Sequence, residues 1–351
     1  MIQGYADFDY FRLEDKIGKT KLRHVAHNQH YKRLLVSDLK VNLNDTIMIR
    51  TFLVVVLAAF ASTGVLAQKV KTIHVLIVNG FSNHDWKQTS AVTKWMLEES
   101  GRFDVDISTV PLDSMERTGW NPDFSKYAVV VQNTNNIHNS RLRWPEKVEK
   151  QLEKYVNNGG GLYILHSANN AFSHWKEYDK MIGLGWRKSS EGFALEVEDS
   201  KKIKRIGPGD GKGTGHGERF NAVIEVLTPH PINNGYPDKW QTANTEVYYF
   251  PRGPADNLSV LSCAFDSTST KKTWPVEWVV QYGKGRVYNS SLGHLWTGES
   301  YPPAYRCIGY QTTVIRAAEW LATGKVTFPV PANFPTAMKQ SLRPQDSFKK
   351  P

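Results

Sequence analysis

A short apolar run between glycines and small polar residues is the feature that most constrains this chain. Three glycines at 159–161 predict a tight turn, residues 162–165 predict a buried strand, and His166 follows where the apolar run stops. Ligands of a parallel α/β sheet bind outside the carboxyl ends of its strands, so we expect the His166 side chain to face a site. Hydrolases of similar layout place serine or cysteine at this turn. An imidazole there favours metal or acid–base chemistry over acyl transfer.

The rest of the chain supports a sheet of this kind. In the first half the predicted strands are residues 73–78, 105–110, 128–131 and 162–165, and the predicted helices are 87–100 and 145–157. Strands that alternate with helices form βαβ units and a parallel sheet. After Trp186 we predict strands at 220–227, 246–250, 258–265, 276–282 and 287–291 and a helix at 304–323. We therefore expect one α/β domain, a mostly parallel sheet flanked by helices, with a β-rich extension in its second half.

The first 67 residues have the pattern of a segment that precedes the folded domain. Met48-Ile49-Arg50 comes before an apolar run at 52–60 and small residues that end at Ala67. This order is typical of a secretory signal, with cleavage expected between Ala67 and Gln68 and a secreted or periplasmic location. The run is short for a bilayer span, and a membrane anchor is the alternative. The expected parts are an upstream extension at 1–47, unstructured or ahead of the true start, a signal peptide at 48–67, the domain at 68–335 and a tail at 336–351.

Net charge and cysteine content narrow the partners that this chain could have. The formal net charge is +10, and removing residues 1–67, with 9 Lys/Arg and 6 Asp/Glu, leaves +7. The positive residues are spread along the chain, and together with an exported location this argues against a nucleic-acid partner. The cysteines are Cys263 and Cys307. Export permits a disulfide between them, and two buried free thiols are the equal alternative.

Polar side chains cluster where three predicted strands end. His84 follows the first strand, Asn133 the third, and Asn169 the fourth. Amide and imidazole groups that meet at one edge of a sheet suit a neutral, hydroxyl-rich ligand, because an amide both donates and accepts hydrogen bonds. Ordinary turn chemistry is the alternative for each single asparagine. Trp175 and Trp296 lie near such residues in sequence, and their aromatic faces would stack on sugar rings.

Further imidazoles and a carboxylate lie in the second half. His216 belongs to a glycine-rich loop at 207–217, His294 follows the last predicted strand, and Glu246 lies in or beside a strand. Histidines are usual ligands of zinc, so His166, His216 and His294 form a candidate site for a divalent metal such as zinc. The loop lacks the Gly-Lys-Ser/Thr ending of a phosphate loop, which argues against a bound nucleotide. His230, between two prolines, is either a structural residue or a ligand.

Several motifs in the same order make the chain similar to a known family. They are residues 159–166, the Gly-His-Gly at 215–217, Pro229-His230-Pro231-Ile232, the segment 282–287 leading to Leu292-Gly293-His294, Gly309-Tyr310-Gln311-Thr312-Thr313, and Glu319-Trp320. Over residues 72–335 the chain resembles the ThuA family (trehalose-utilisation type), which implies a flavodoxin-like fold similar to that of class I glutamine amidotransferases. Amidotransferases carry a catalytic cysteine where this chain has His166.

The resemblance also implies a role in sugar catabolism. Its expected substrates are 3-keto glycosides, supplied by a partner sugar 3-dehydrogenase. Family members tend to read Asp-Glu-x-Tyr where this chain reads Thr245-Glu246-Val247-Tyr248. No acid–base or metal role is therefore carried over to position 245, whereas Glu246 keeps its place.

Together these residues predict an exported enzyme of carbohydrate or polysaccharide breakdown. His166, Glu246 and His294 are the expected catalytic residues. Histidine titrates near the pH at which a proton beside a carbonyl is abstracted, so an isomerase, lyase or hydrolase without a cysteine nucleophile is expected. A covalent serine mechanism is the weakest interpretation, since Ser167 lies one residue past the turn. The alternative function, favoured by the missing acidic residue, is a non-catalytic periplasmic carbohydrate-binding protein.

Overall fold

The structure, a computed structural model, describes residues 72–347. The predicted extension at 1–47, the predicted signal peptide at 48–67 and the predicted cleavage site at Ala67 and Gln68 lie outside the described residues. Within 72–347, no helix is both long enough and apolar enough to cross a bilayer.

Strands and helices alternate through the first half of the described residues. The strands are β1 (Ile73–Asn79), β2 (Phe103–Thr109), β3 (Val129–Gln132), β4 (Gly161–Leu165), β5 (Phe193–Val197), β6 (Ile203–Ile206), β7 (Gly215–His216), β8 (Val223–Val226), β9 (Lys239–Gln241), β10 (Tyr248–Tyr249), β11 (Arg252–Gly253), β12 (Leu258–Phe265), β13 (Thr273–Tyr282) and β14 (Gly285–Ser290). The helices are α1 (Trp86–Glu99), α2 (Ser114–Gly119), α3 (Glu146–Asn157), α4 (Lys176–Ile182), α5 (Pro303–Arg306) and α6 (Ile308–Thr323), with 3-10 turns at Phe124–Lys126 and His166–Asn170. The strands and helices predicted in the first half are all present.

One sheet organises the domain, with the strand order β2-β1-β3-β4-β14-β13-β12-β8-β9. The strands from β2 to β14 in this order pair in parallel. The pairings from β14 to β9 are antiparallel. This arrangement confirms the predicted fold class, a flavodoxin-like parallel sheet with a β-rich extension. It also brings the carboxyl ends of β1, β3, β4 and β14 to one edge, where ligands of such sheets bind.

Helices cover both faces of the central parallel strands, which explains why β1, β3 and β4 are mostly apolar, whereas the edge strand β2 alternates buried and exposed residues. In β1, Val75 and Ile77 point to one core, whereas Leu76 and Val78 point to the other. Helices α1 and α6 pack on the first core, and α3 and α4 pack on the second. The pairing of β1 with β2 and β3 places Ile73 beside Phe103 and Val75 beside Val129 and so defines the register of β1. The position where β1 ends, and where the loop carrying His84 begins, follows from that register.

The second half departs from the predicted elements. The predicted strand at 246–250 is only the two-residue β10, which pairs with β7 in a separate small sheet. The predicted strand at 220–227 is shortened to β8, and β5, β6, β7, β9 and β11 are additional. The predicted helix at 304–323 divides at Cys307, whose backbone is extended (φ −64°, ψ 119°). Short strands depend on pairing partners far along the chain, so local apolar patterns do not report them.

The folded domain fixes the path of the C-terminal segment and shows whether the two cysteines pair. Residues 336–347 run along the domain, where the Ile308 N–H donates to the Ser341 carbonyl and the Arg343 N–H donates to the Arg306 carbonyl. Cys263 and Cys307 are buried free thiols, which decides between the two alternatives for this pair. Burial raises the pKa of the Cys263 thiol to about 12.

Candidate active site

Three histidines meet at the carboxyl edge of the parallel strands. His84 lies in the loop after β1, His166 follows β4 directly, and His294 follows β14. Their ring centroids are 4.9–5.3 Å apart. One nitrogen of each ring lies within 4.8 Å of one nitrogen of each of the others. The topology accounts for this convergence, because parallel strands end at the same edge of the sheet.

His166 occupies a strained turn between β4 and the 3-10 turn that follows it. Its φ of +43° is in the left-handed region, which residues other than glycine rarely adopt. A strained strand-to-helix turn also presents the nucleophile of α/β hydrolases. Here the buried imidazole donates its Nδ1–H to the Ser291 carbonyl oxygen at 2.7 Å. This hydrogen bond directs Nε2 of His166 toward the other histidines.

A carboxylate and a fourth imidazole come from the second half of the chain. Strand β10 pairs with β7 so that Tyr248 lies opposite His216, and Glu246 precedes β10. Glu246 Oε1 lies 3.2 Å from His294 Nε2 and 3.6 Å from His216 Nε2. Its Oε2 lies 3.9 Å from His166 Nε2. We call His84, His166, His216, His294 and Glu246 the histidine cluster.

Hydrogen bonds around His84 identify its tautomer. Asn135 Oδ1 accepts the Ile137 N–H at 2.9 Å, so Asn135 Nδ2 is the group that donates to Asn83 Oδ1 at 2.7 Å. Asn83 Oδ1 can only accept, and His84 Nδ1, 2.9 Å away, must therefore carry the proton that is donated. Nε2 of His84 is the unprotonated nitrogen and presents a lone pair.

The same reasoning assigns the tautomers of the other three imidazoles and places them in two groups. Carbonyl oxygens accept from Nδ1 of His166 and from Nδ1 of His216, each at 2.7 Å, so the neutral form of both rings has its lone pair on Nε2. His294 is different, because Arg219 Nη1 lies 3.2 Å from its Nδ1 and a guanidinium can only donate. Neutral His294 therefore carries its proton on Nε2, which faces Glu246 Oε1. At their Nε2 atoms, the four neutral imidazoles of the histidine cluster therefore present three lone pairs and one N–H donor.

Burial determines the charges of the histidine cluster. It lowers the pKa of His84 to about 4 and that of His294 to about 3, and it holds the pKa of His166 well below 6.5, with repulsion from neighbouring imidazoles adding to the effect. Burial also raises the pKa of the Glu246 carboxyl above 4.5, although His216 and Arg219 oppose this. At neutral pH these three imidazoles are neutral bases beside a carboxylate with increased proton affinity.

Trp296 lies at the rim of the histidine cluster, as expected for a residue that contacts a ligand. Its ring is 47% exposed and parallel to that of His294, with an interplanar angle of 4° and centroids 6.0 Å apart. It lies edge-on to His84 at 5.1 Å. The exposed face of Trp296 is therefore available for a sugar ring.

Trp175 is not available in this way, and its predicted sugar-stacking role is wrong. The ring packs among those of Trp144, Phe172 and Tyr178 in the second core. Its Nε1–H donates to Glu153 at 2.7 Å. Neighbours in sequence point in different directions here, and a ring enclosed by core residues has no face left for a ligand.

Two of the predicted asparagines also face the interior. Asn133 Nδ2 donates to the hydroxyl oxygens of Thr89 and Ser90, at 2.8 and 2.9 Å, and so ties the end of β3 to α1. Asn169 has no exposed surface. Asn133 is therefore not placed to contact a ligand directly, which corrects its predicted substrate-binding role. The Asn169 amide has no hydrogen-bond partner among the described residues, and its substrate-binding role stays a prediction. The amide of Asn133 is therefore used in a contact with a distant helix rather than in local turn hydrogen bonds.

Two residues that shape the histidine cluster were missed. The Tyr248 hydroxyl lies 3.4 Å from His166 Nε2, and burial raises its pKa well above 10, so it remains a proton donor. Arg219 contacts His294 and also donates to Glu299. Tyr248 could have been predicted, because it lies two residues after Glu246 and alternate residues of an extended segment share a face. No sequence pattern connects Arg219 to a histidine 75 residues away.

His230 lies outside the histidine cluster and has a structural setting. Its ring is edge-on to Trp320 with centroids 4.6 Å apart, and its Nδ1 accepts the Ile232 N–H at 3.3 Å. Burial lowers its pKa to about 4. These contacts support the structural interpretation of His230 over a role as a ligand.

Comparison with known proteins shows clear similarity to one family. The family model described as ThuA, trehalose utilisation, matches residues 74–320. A crystal structure of a ThuA-like protein from Parabacteroides merdae ATCC 43184 is 35% identical, and the match covers 79% of this chain and 99% of that chain, with a TM-score of 0.73. None of the curated proteins compared is similar enough to count as a relative.

Two further solved structures are similar only distantly. The exo-β-1,4-mannosidase Op5Man5 from Opitutaceae bacterium strain TAV5 is 12% identical over 72% of this chain and 36% of that chain, with a TM-score of 0.31. The carbohydrate deacetylase Agd3 is 8% identical over 72% of this chain and 33% of that chain, with a TM-score of 0.41. Similarity at this level carries no argument about the reaction.

Proposed function

This chain belongs to the ThuA family, which indicates a carbohydrate-related role, and from that premise we propose that it is an enzyme acting on a keto-sugar or glycoside by acid–base or metal-assisted chemistry. The observation that carries the proposal is a group of four imidazoles and one buried carboxylate at the carboxyl edge of the sheet. Burying so many ionisable groups is unfavourable for folding. Perturbed groups that converge at the ligand edge of a sheet are typical of active sites.

The tautomers give each group a distinct role in moving a proton. His166 presents an unprotonated Nε2 in a dry setting and is suited to accept a proton from a carbon beside a carbonyl. His294 Nε2–H donates toward Glu246, whose raised pKa lets it hold a proton and return it. The protonated Tyr248 hydroxyl can donate to an oxygen that gains negative charge. Such a set suits isomerisation, elimination or hydration at a keto-sugar.

The same residues fit a divalent metal such as zinc. Nε2 of His84 and of His166 and an oxygen of Glu246 would hold the ion, with the lone pair of His216 as a further ligand. When bound, the metal would polarise a carbonyl oxygen of the substrate. His294 does not fit as an Nε2 ligand while Arg219 donates to its Nδ1, so it would remain the proton donor. The proposed set takes His84 in place of the His294 of the predicted set, and metal analysis of variants of each histidine distinguishes the two sets.

Location and partner are further parts of the proposal. The signal-like pattern at 48–67 supports an exported protein, and N-terminal sequencing of secreted material would be expected to begin at Gln68. A sugar 3-dehydrogenase in the same pathway would supply the keto-sugar. Trp296 and the neutral lone pairs of the histidine cluster suit a neutral, hydroxyl-rich substrate.

Product formation and metal content test the proposal together. Purified protein would be incubated with 3-keto glycosides and their parent glycosides, and products and bound metal would be measured. His166→Ala is expected to reduce turnover about a thousandfold, because it removes the proton acceptor. His74→Gln is the matched control, since His74 is an exposed histidine paired with Asp104, and it is expected to leave turnover unchanged.

Two results would contradict the proposal. Full turnover by His166→Ala would place the chemistry elsewhere in the protein. Saturable sugar binding without any product from the keto-glycosides would favour the carbohydrate-binding alternative. A metal that copurifies with the wild-type protein and is lost in His166→Ala would select the metal-assisted form of the proposal.

A further inference from the structure

A cleft of about 670 Å³ is lined by Trp186, whose ring also contacts His216 of the histidine cluster. Its walls come from the loops that follow β3 and β4 and from the glycine-rich loop, and they include Asn136, Arg143, Asn170, Trp186 and Thr214. The volume lies within the ~300–1,000 Å³ of small-molecule sites. We call it the Trp186 cleft.

Trp186 connects this cleft to the histidine cluster. Its half-buried ring is edge-on to those of His216 and Tyr248, with centroids 5.7 and 5.3 Å apart. The Tyr248 hydroxyl in turn lies 3.4 Å from His166 Nε2. A ligand that occupies the histidine cluster and extends past Tyr248 therefore meets the Trp186 ring next.

Asn170 supplies a binding group that the fold leaves unused. It is only 6% exposed and lines the cleft, and its Oδ1 has no hydrogen-bond partner among the described residues. A buried carbonyl oxygen without a partner is unfavourable. Because this atom is itself buried, the Asn170 amide must rotate for a hydroxyl group of a ligand to reach and satisfy it. Asn136, also in the cleft wall, uses its Oδ1 to accept the Phe172 N–H at 2.8 Å, so its Nδ2 is left as a donor. The cleft thus offers one amide acceptor and one amide donor.

The charges of the Trp186 cleft do not select an anion. Arg143 pairs with Glu149 at 3.4 Å. Arg187, also in the cleft wall, pairs with Asp179 at 2.7 Å. Lys188 and Glu191 line the cleft as well, and Glu191 Oε2 accepts the backbone N–H of Lys188 at 2.9 Å. Because both signs are present and close together, a neutral polyhydroxyl group fits the cleft better than a phosphate or carboxylate.

We propose that the Trp186 cleft is a second sugar subsite, so that the preferred ligand contains at least two linked sugar units. One unit lies at the histidine cluster and the next lies against the Trp186 ring. The indole supplies a flat apolar face for a pyranose, and Asn170 Oδ1 accepts a hydroxyl hydrogen. The inference rests on the proposed carbohydrate ligand and does not require that the protein catalyse a reaction.

Equilibrium binding tests the subsite without turnover. Purified protein would be titrated by calorimetry with glucose and with trehalose, maltose and cellobiose. We expect at least one of these disaccharides to bind about tenfold more tightly than glucose. Trp186→Ala is expected to reduce this ratio to about one and to leave the affinity for glucose within about twofold. Trp186→Phe keeps an aromatic face and should retain most of the preference, while Asn170→Ala should lower it.

The outcomes separate the subsite from the proposed reaction. A ratio near one in the wild-type protein, or no saturable binding of any of these disaccharides, overturns the subsite. Equal weakening of glucose and disaccharide in Trp186→Ala also overturns it, because Trp186 would then act on the histidine cluster through His216 and Tyr248. Failure of the proposed enzyme looks different: the disaccharide preference and its loss in Trp186→Ala persist, and no product forms from keto-glycosides.

Discussion

Glu246 and Glu277 are two nearly fully buried carboxyl groups with neighbours of different chemical kinds. Burial raises the pKa of both. Glu277, in β13, accepts hydrogen bonds from the hydroxyl groups of Ser262 and Tyr288, the latter at 2.5 Å. Glu246, ahead of β10, faces imidazole nitrogens at 3.2–3.9 Å. Burial alone therefore does not distinguish a functional carboxyl group from a structural one in this protein.

The difference lies in what the neighbours can do with a proton. The hydroxyl groups around Glu277 satisfy its oxygens and have no tendency to take up a proton near neutral pH. The imidazoles around Glu246 carry ring nitrogens that can accept or donate a proton, which a hydroxyl group does not do near neutral pH. Glu277 also lies in the middle of a paired strand, whereas Glu246 lies at the ligand edge of the sheet. We expect Glu246 to matter for function and Glu277 for stability.

The largest expected effect is the loss of activity in Glu246→Gln. The glutamine keeps the shape of the side chain and an acceptor for His294, but it cannot take up or return a proton. Turnover of a keto-glycoside should fall about a thousandfold, while the free energy of unfolding changes by less than about 1 kcal/mol. Glu277→Gln is the matched control and should retain turnover. Similar losses of activity in both variants would remove the distinction between the two carboxyl groups.

The next effect is a loss of stability in Glu277→Ala. The substitution leaves the Ser262 and Tyr288 hydroxyls buried without their acceptor and opens a cavity, so we expect about 3 kcal/mol of destabilisation. Denaturant-induced unfolding measures it. Glu225→Ala is the control, because Glu225 is partly exposed and pairs with Lys201 and Lys239; it should cost less than about 1 kcal/mol. Equal destabilisation in the two variants would contradict the structural role of Glu277.

A smaller effect is expected when Arg219 is replaced. Arg219→Met removes the donor that holds the His294 proton on Nε2, so the ring can adopt the other tautomer. Turnover should fall about tenfold, and the imidazole ¹⁵N signals of His294 should change from the Nε2–H pattern to a mixture. Arg205→Met, which affects an arginine paired with Asp256 outside the histidine cluster, should change neither. An unaltered His294 spectrum in Arg219→Met would show that Arg219 does not set this tautomer.

The smallest expected effect is a change in the pH dependence of stability in Glu277→Gln. The folded pKa of Glu277 is raised above its ordinary value of 4.5 by burial. Its contribution to stability is therefore fully present below that value and is lost as the pH rises through the folded pKa. The glutamine variant lacks this loss, so its stability relative to the wild-type protein should increase as the pH rises above 4.5. A difference that is independent of pH would contradict a raised pKa at Glu277.

The parallel half of the fold was predictable because its signals are local. The apolar runs of β1 and β4, and the glycine turn before β4, lie within a few residues of one another. The two-residue β10 was predicted as a longer strand, because its length depends on β7, the strand it pairs with about thirty residues upstream. For the site, His84, His166 and His294 follow strands that end at one edge, and topology alone predicts that they converge. Side-chain direction was not predictable, and Trp175 was wrongly assigned for that reason.

The sequence by itself determined the class of fold, the family and the edge of the sheet where the histidines gather, because apolar periodicity and strand ends are properties of neighbouring residues. Only the tertiary structure decided where the protons lie. The proton of His166 is placed by the Ser291 carbonyl, 125 residues away, and that of His294 by Arg219, 75 residues away. An imidazole takes the tautomer that its hydrogen-bond partner requires. Those partners meet only when the chain is folded.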